Sequence, residues 1–572
     1  MIAMFKFRQL SALFLCFIIS TFAFCAEPFK RGVRSGDPSS DGVILWTQLD
    51  KEYFEGLMKK ELLDAQRNNP DSNITRASDK VDIKLKVALD ENLQQVVYEE
   101  TLTATPRHNY TIRADLSGLL QPYTRYYYQF NAGNDYSRLG KTKTLPAKNS
   151  KQKLIIAVLS CQDYSTGFFN AHKILSRMSD DIDLVFFNGD FIYEYAQYDS
   201  SHARIVRDNL SLPSGRKSAF TPEDFSYLYQ AYLSDPQLQE SLASLPFIMI
   251  HDDHETADNQ FWNRDTEMMD IPGNRYSEFS EFERQRVVRN ARKALYDFTP
   301  IRAEVDFSKE NPQEYIKLYR SFRLGGLADF FVTDSRSYRD GKNIDDEDQS
   351  KTMLGTKQLQ WFSDQLHDCD ASWCLWGNQV MFSRMVKFGA HSSIIPDLLH
   401  NSDQWNGFRH ERETVKALID KFAIKNLVVL TGDLHTSLIS YLKPSGDPES
   451  TENLGVELMT PSVTSPNFKE ELGFFGKSKL LMDLIQGFIK DQNHHLQHFS
   501  SATHGFSLLS LSEDQIDWEV YEVPTKERLD DPQEKLLIHM NYDHEGRLHY
   551  MKGRLSDTLH EDDIDKPSHV EF

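Results

Sequence analysis

The chain is short of positive charge. Its 64 lysines and arginines are outnumbered by 85 aspartates and glutamates, for a net charge of −21 at pH 7 over 572 residues. Nucleic acid and anionic membranes are thereby disfavoured as bulk partners. An anionic substrate would need local positive charge, such as metal ions, to approach. The apolar run near the start, 10–24, is shorter than a bilayer-spanning helix needs, which argues against a stable membrane insertion there. No twin-arginine pair precedes it, and the chain has no internal repeat and no low-complexity segment. Cysteine is rare, with five residues in all. What is present is an ordinary globular composition, 40% hydrophobic, 26% charged and 12% aromatic, over a length that implies two or more domains.

Lys6 and Arg8 lead into the apolar run, small residues follow around 23–26, and Glu27, Pro28 and Lys30 come next. The pattern predicts a cleaved Sec-type signal peptide over 1–26, cut near Cys25 or Ala26, and so a periplasmic or secreted protein. Phe24 sits poorly ahead of a lipid-modified Cys25. Outside the leader, Cys369 and Cys374 stand five apart across an expected turn (CDASWC), a spacing that suits a disulfide and two reduced thiols equally. Cys161 is left on its own in an exported protein.

Residues 27–147 read as an all-β domain. VDIKLKVALD, QVVYEETLTA, NYTIRADLSGL and RYYYQFNAG are short alternating runs bounded by turn residues. The segment 120–126 (LQPYTRY) resembles the corner of fibronectin-type sandwiches, where a tyrosine bonds back to the backbone. A polar insert, 51–80, interrupts the pattern as a helical or mobile excursion, and 146–153 has linker composition. From 153 to 523 longer strands alternate with helical stretches such as FFNAHKILSRM, EDFSYLYQAYLS and TKQLQWFSDQLH, the pattern of α/β layers. The tail, 524–572, is polar and reads as a surface-lying or frayed extension.

Six strand-like runs end in chemistry. KLIIAVLSCQ delivers Cys161, LVFFNGD delivers Asp190, and LPFIMIHDDHE delivers Asp253 and His254. LADFFVTDSR delivers Arg336, WCLWGNQVMF delivers Asn378, and NLVVLTGDLH delivers Asp433 and His435. Ligands gather beyond the carboxyl ends of strands in such layers. Singly each residue has an ordinary reading: a strand-end cysteine is a small buried hydrophobe, Tyr193 a packed aromatic, and Asp190 after Gly189 a turn or cap. The recurrence at corresponding strand ends favours a site. Cys161, Tyr193 and His435 offer thiolate, phenolate and imidazole, a set for a transition metal, with Fe(III) favoured by the phenolate. Asp253, Asn378 and Asp433 offer oxygen alone, which suits Ca²⁺, Mg²⁺ or Mn²⁺. Asp190 has two oxygens with which to bridge both ions. Two such metals clamp a phosphoryl group and activate water for in-line attack.

SGDPSSDGVILWTQL, SCQDY, NGDFIYEY, DDHETADN, DSRSYR, LGTKQLQWF, WGNQVM and TGDLH, in this order, closely resemble the PhoD-type alkaline phosphatases, exported members of the calcineurin-like metallophosphoesterase superfamily. The resemblance covers 29–523. It implies a four-layer αββα metallophosphoesterase sandwich preceded by an all-β fibronectin-type sandwich domain. It also implies hydrolysis of phosphomonoesters and diesters, in some members with phospholipase D activity. Residue by residue it implies Fe(III) at Cys161, Asp190, Tyr193 and His435, and Ca²⁺ or another hard divalent cation at Asp190, Asp253, Asn378 and Asp433. His254 would contact the phosphate or protonate the leaving oxygen, and Arg336 would grip phosphate with two hydrogen bonds. The sequence departs from the family in its Sec-type leader, in His251 where an aromatic is usual, and in Asp258 where an asparagine is expected. Asn259 is a further candidate ligand.

The expectation is an exported binuclear phosphatase acting on small-molecule or lipid phosphate esters by metal-activated attack of water. One alternative is a phosphodiesterase or phospholipase D on the same site. The other is a non-catalytic surface binding protein, which lost ligands would mark; none is missing.

Overall fold

The computed structural model describes residues 27–68, 79–197, 205–271, 275–341, 344–385, 402–445 and 450–553. The expected signal peptide lies outside them. Among the described residues no helix is long and apolar enough to cross a membrane.

Two sheets carry the site. A ten-stranded sheet has Leu154–Leu159, Leu184–Asn188 and Pro246–Ile250 side by side and parallel. LVFFN and PFIMI are buried at every position, the continuous apolar pattern of strands covered on both faces. A seven-stranded sheet aligns Ala328–Val332, Trp373–Gly377, Leu427–Thr431 and Gly455–Met459 in parallel. The sheets meet face to face. Phe186 packs edge-on against Phe330 with centroids 4.9 Å apart, and a Cβ at Gly377 would fall 2.6 Å from the Phe186 ring. The parallel strands therefore release their following residues along a common edge. Short backbone bonds tie the ends together: Cys161 N–H donates to the Gly189 carbonyl at 3.1 Å and Gln162 N–H to the Asp190 carbonyl at 3.0 Å.

The three helical stretches fold as Asn170–Arg177, Pro222–Tyr232 and Gly355–His367. Pro222–Tyr232 starts where Thr221 accepts from Asp224 N–H and Asp224 reciprocates, with Pro222 in the first turn.

The chain forms two compact units. Among the described residues, one comprises those within 27–33, 46–113 and 127–139, and the other those within 34–45, 114–126 and 140–553. Val33–Gly36, Ile44–Gln48 and Thr111–Asp115 are strands of the ten-stranded sheet, the first pairing in parallel with Pro246–Ile250. VRSG and ILWTQ are buried at every position, so they need a sheet covered on both sides rather than a half-solvated one. Val81–Ala88, between Val96–Ala104 and Arg125–Ala132 in a smaller sheet, keeps the alternating burial of a half-solvated strand. Tyr126 makes the expected corner, its hydroxyl accepting from Gln121 N–H at 2.7 Å. The polar insert begins as a helix, Lys51–Asn68.

The segment after 523 is not a frayed extension. Lys535–Asp543 and Leu548–Gly553 add two antiparallel strands to the ten-stranded sheet and bury Leu537, Ile538, Met540, Tyr542 and Leu548. Asn170 anchors the lead-in by donating to the Pro524 and Glu527 carbonyls. A high polar content hid this short apolar core. Residues 554–572 lie outside the described residues. Cys369 and Cys374 are joined in a disulfide with Cα atoms 6.2 Å apart.

Candidate metal centre

The turns that present the donors are conformationally unusual. Cys161, Asp190, Asp433 and His435 have φ of +58°, +56°, +63° and +52°. A non-glycine residue held there costs on the order of 1–3 kcal/mol, and such residues persist where the surroundings over-determine them. Gly189, at φ +87°, makes the tightest approach: a Cβ would lie 2.5 Å from Asp252 Cβ. Glu255 fixes this turn by accepting from the backbone N–H groups of Asp190 at 3.2 Å, Phe191 at 2.7 Å and Asp252 at 2.8 Å. Burial pushes its carboxyl up to about 7.

Three overlapping donor sets result, each with its ligand atoms within 4.8 Å: Cys161, Asp190 and His435; Asp190, Asp253 and His254; and Asp252, Asp253 and Asp433. Tyr193 joins the first, donating to Asp190 Oδ2 at 3.1 Å and accepting from Ser465 Oγ at 2.6 Å. His435 Nδ1 donates to the Pro466 carbonyl at 2.6 Å, which leaves the Nε2 lone pair for a ligand. Burial pushes this imidazole down to about 4, so it is neutral. Burial, reinforced by Asp190, holds both the Cys161 thiol and the Tyr193 phenol well above their usual ranges. Neither ionises there without a compensating cation. The donor chemistry fits a metal.

Arg336 does not take the position expected of a phosphate grip. Its Nε meets Asp252, Nη1 meets Asp403 Oδ2 at 2.5 Å and Nη2 meets Asp433 Oδ1 at 2.6 Å. Asp253 Oδ2 is 3.5 Å from Nη1. Four acidic groups converge here, and the guanidinium is taken up in offsetting them. Burial still pushes Asp433 up to about 6, and Asp252 Oδ2 has no hydrogen-bond partner among the described residues. A buried carboxylate oxygen in that state is what a hard cation satisfies.

Asn378 is also placed otherwise than expected. Its Oδ1 accepts from Trp405 Nε1 at 3.2 Å, its Nδ2 donates to the Val380 carbonyl at 2.5 Å, and it does not line the cavity at the donors. The fully buried Trp405 indole needs an acceptor, and Asn378 supplies it. Asn259 does line the cavity, with its N–H on Asp253 Oδ2 at 2.8 Å and its carboxamide on Asp258 at 2.7 Å. His251 stands 2.9 Å from Asp334, a polar partner an aromatic would lack.

His254 Nδ1 donates to Glu194 Oε2 at 2.8 Å, its backbone N–H donates to Asp190 Oδ1 at 3.3 Å, and its ring stacks on Tyr193 at 4.1 Å. Burial would lower its pKa, but Glu194, Asp190 and Asp253 outweigh burial and hold the ring well above the ordinary value. Sequence reasoning missed Glu194, Asp403 and Gln404, the last of which donates to Asp433. Glu194 was within sight in NGDFIYEY. Asp403 and Gln404 follow no pattern in the sequence.

These groups open onto a cavity of 370 Å³. Asp190, Asp253, His254 and His435 line it together with Met381, Met385, Leu438, Phe468 and Phe499. The arrangement suits a charged group bonded to an apolar body.

Residues 156–520 match the PhoD-like phosphatase family, and residues 19–146 match the N-terminal domain of PhoD-like phosphatases. Alkaline phosphatase D of Bacillus subtilis (strain 168) is 32% identical over 457 residues, 77% of this chain and 70% of that protein. A solved structure of PhoD aligns with a TM-score of 0.76 at 28% identity, over 96% of each chain. Similarity of that extent assigns the chain: it belongs to the PhoD-like phosphatase family, hydrolases of the alkaline phosphatase D class.

Proposed function

We propose that this protein is an exported binuclear metal-dependent phosphatase that hydrolyses phosphate esters on a four-layer αββα frame, with a β-sandwich domain ahead of it. The observation that carries the reading is the double membership of Asp190, which shares one donor set with Cys161 and His435 and another with Asp253 and His254. A carboxylate in that position is a natural bridge. Fe(III) would be held by Cys161, Asp190, Tyr193 and His435, and Ca²⁺ or another hard divalent cation by Asp190, Asp253 and Asp433. Asn378 would join the second ion only by giving up Trp405. When bound, such a pair neutralises phosphoryl oxygens and activates water.

The chain's own groups do the rest. His254 holds a proton on Nε2, with Nδ1 committed to Glu194, and delivers it to the departing ester oxygen. Arg336 acts as a positioning residue, fixing Asp252, Asp403 and Asp433 instead of touching phosphate. The apolar lining residues receive the body of the ester and exclude water from the reacting group.

Hydrolysis of nitrophenyl phosphate compared with bis-nitrophenyl phosphate and phosphatidylcholine tests the reading. Faster turnover of the monoester is expected. Faster turnover of the diester or lipid moves the assignment to a phosphodiesterase or phospholipase D on this site, and turnover of none by metal-loaded protein contradicts it.

A further inference from the structure

A second cavity, of 420 Å³, lies beside the helix Arg409–Lys421. Arg384, Arg409, Arg412, Lys416 and Lys443 line it, with Glu413 the single carboxylate among the described lining residues. In a chain of net charge −21 that gathering of cations is anomalous. Arg412 and Lys416 are 3% and 8% exposed, so their charges are held largely out of water. Burial lowers the Arg412 guanidinium to about 10, with Arg384 and Arg409 adding repulsion that Glu413 only partly offsets. Lys416 is lowered too, by burial first and then by Arg412 and Arg384 against Glu413. Glu413 cannot satisfy them all: it is 3.2 Å from Lys416 Nζ and 3.6 Å from Arg412 Nε, and its other oxygen accepts from Ser445. Arg412 Nε and Ser383 Oγ, buried atoms of two residues that line the cavity, have no hydrogen-bond partner among the described residues.

Arg409 pairs with Glu347 at 2.6 Å and Lys443 donates to Asn453 Oδ1 at 3.0 Å, but the buried Arg412 and Lys416 share Glu413, with Arg384 on the same cleft, and cations so converging suit an anion. We propose that this cleft is a binding site for a multiply charged phosphoryl-type anion, distinct from the metal-ligand cluster. Guanidinium and ammonium groups on one wall suit tetrahedral phosphoryl oxygens, and the volume leaves room for more than inorganic phosphate alone. The cleft lies close in the chain to the catalytic cavity. Arg412 donates to Asn406 Oδ1 at 2.6 Å, and Asn406 donates to the Met385 carbonyl at 3.2 Å. Met381 and Met385 wall the catalytic cavity, while Ser383 and Arg384, from the same short segment, wall the cleft. The two cavities thus draw on one segment without sharing a lining residue. The inference does not depend on which metals the protein holds.

Calorimetric titration of the metal-loaded full chain with inorganic phosphate, at constant ionic strength, tests it. Wild type is expected to show two binding events, one matching the competitive inhibition of nitrophenyl phosphate hydrolysis by phosphate. Arg384→Gln with Lys443→Gln should weaken the other event at least tenfold and leave the inhibition constant within twofold. Arg384→Gln alone changes one exposed side chain and should weaken the same event, which guards against misfolding of the double variant. A single event in wild type, fully accounted for by the inhibition constant, overturns the proposal. So does an Arg384→Gln isotherm identical to wild type.

Discussion

Glu194 Oε2 lies 2.8 Å from His254 Nδ1, and the carboxylate that orients this ring is itself buried. The pair sets which nitrogen faces the cavity, and the Glu194 carboxylate favours the charged imidazole. Glu194→Gln should therefore lower kcat by about 100-fold, within the range for loss of a positioned proton donor. The loss should be much smaller for a nitrophenyl ester, whose leaving group departs without a proton, than for an alkyl ester. Equal losses on both esters would contradict the role given to His254.

Gly189 sits where the strand Leu184–Asn188 turns to present Asp190. A Cβ there would lie 2.5 Å from Asp252 Cβ, whereas one at Gly118, also at positive φ, would meet nothing within 4 Å. Both Gly→Ala changes carry backbone strain on the order of 1–3 kcal/mol. Gly189→Ala adds a clash with a residue of the donor cluster, so it should lower the urea midpoint more than Gly118→Ala does. It should also abolish hydrolysis, which Gly118→Ala should leave intact. Paired urea titrations and assays check both outcomes.

What was legible in the sequence was chemistry attached directly to apolar runs. Cys161, Asp190, Asp253, Asp433 and His435 each follow a buried parallel strand at once, and parallel topology delivers such residues to one edge. Arg336 and Asn378 follow strands too, but partners distant in the chain decide where their side chains point. Asp403 draws Arg336 inward, and Trp405 takes the Asn378 carboxamide. Those partners leave no periodic trace. Strand pairing also joins Val33–Gly36 to Pro246–Ile250 across more than 200 residues, a contact that leaves no trace in local composition. The strand Lys535–Asp543 was hidden by the polarity of the tail around it.

His172 gives the fold a measurable pH dependence. It is buried, with Nδ1 2.7 Å from Ser241 Oγ and Nε2 2.8 Å from Gln162 Oε1, and burial lowers its pKa from 6.5 to about 3. Below its unfolded pKa the unfolded chain binds a proton there that the folded chain refuses. The neutral ring's contribution is thus complete above about pH 6.5 and is lost as pH falls toward 3, at up to about 1.4 kcal/mol per pH unit. The stability difference between wild type and His172→Gln should shrink by about 2 kcal/mol between pH 7 and pH 5. A pH-independent difference in urea unfolding would contradict this.

The Cys369–Cys374 disulfide closes a loop with a sequence separation of only 5. Loop-closure entropy for so short a ring amounts to about 2 kcal/mol. Cys369→Ser with Cys374→Ser should cost about that much in urea unfolding and leave kcat within twofold, because neither sulfur lines the catalytic cavity.

The central claim is that Cys161, buried and alone among the described cysteines as a free thiol, ligates iron beside Asp190. Metal analysis of purified wild type and Cys161→Ala, with hydrolysis measured on the same samples, tests it most directly. The account predicts bound iron and phosphatase activity in wild type and loss of both in Cys161→Ala. Iron-free wild type, with Cys161→Ala as active as wild type, would contradict it.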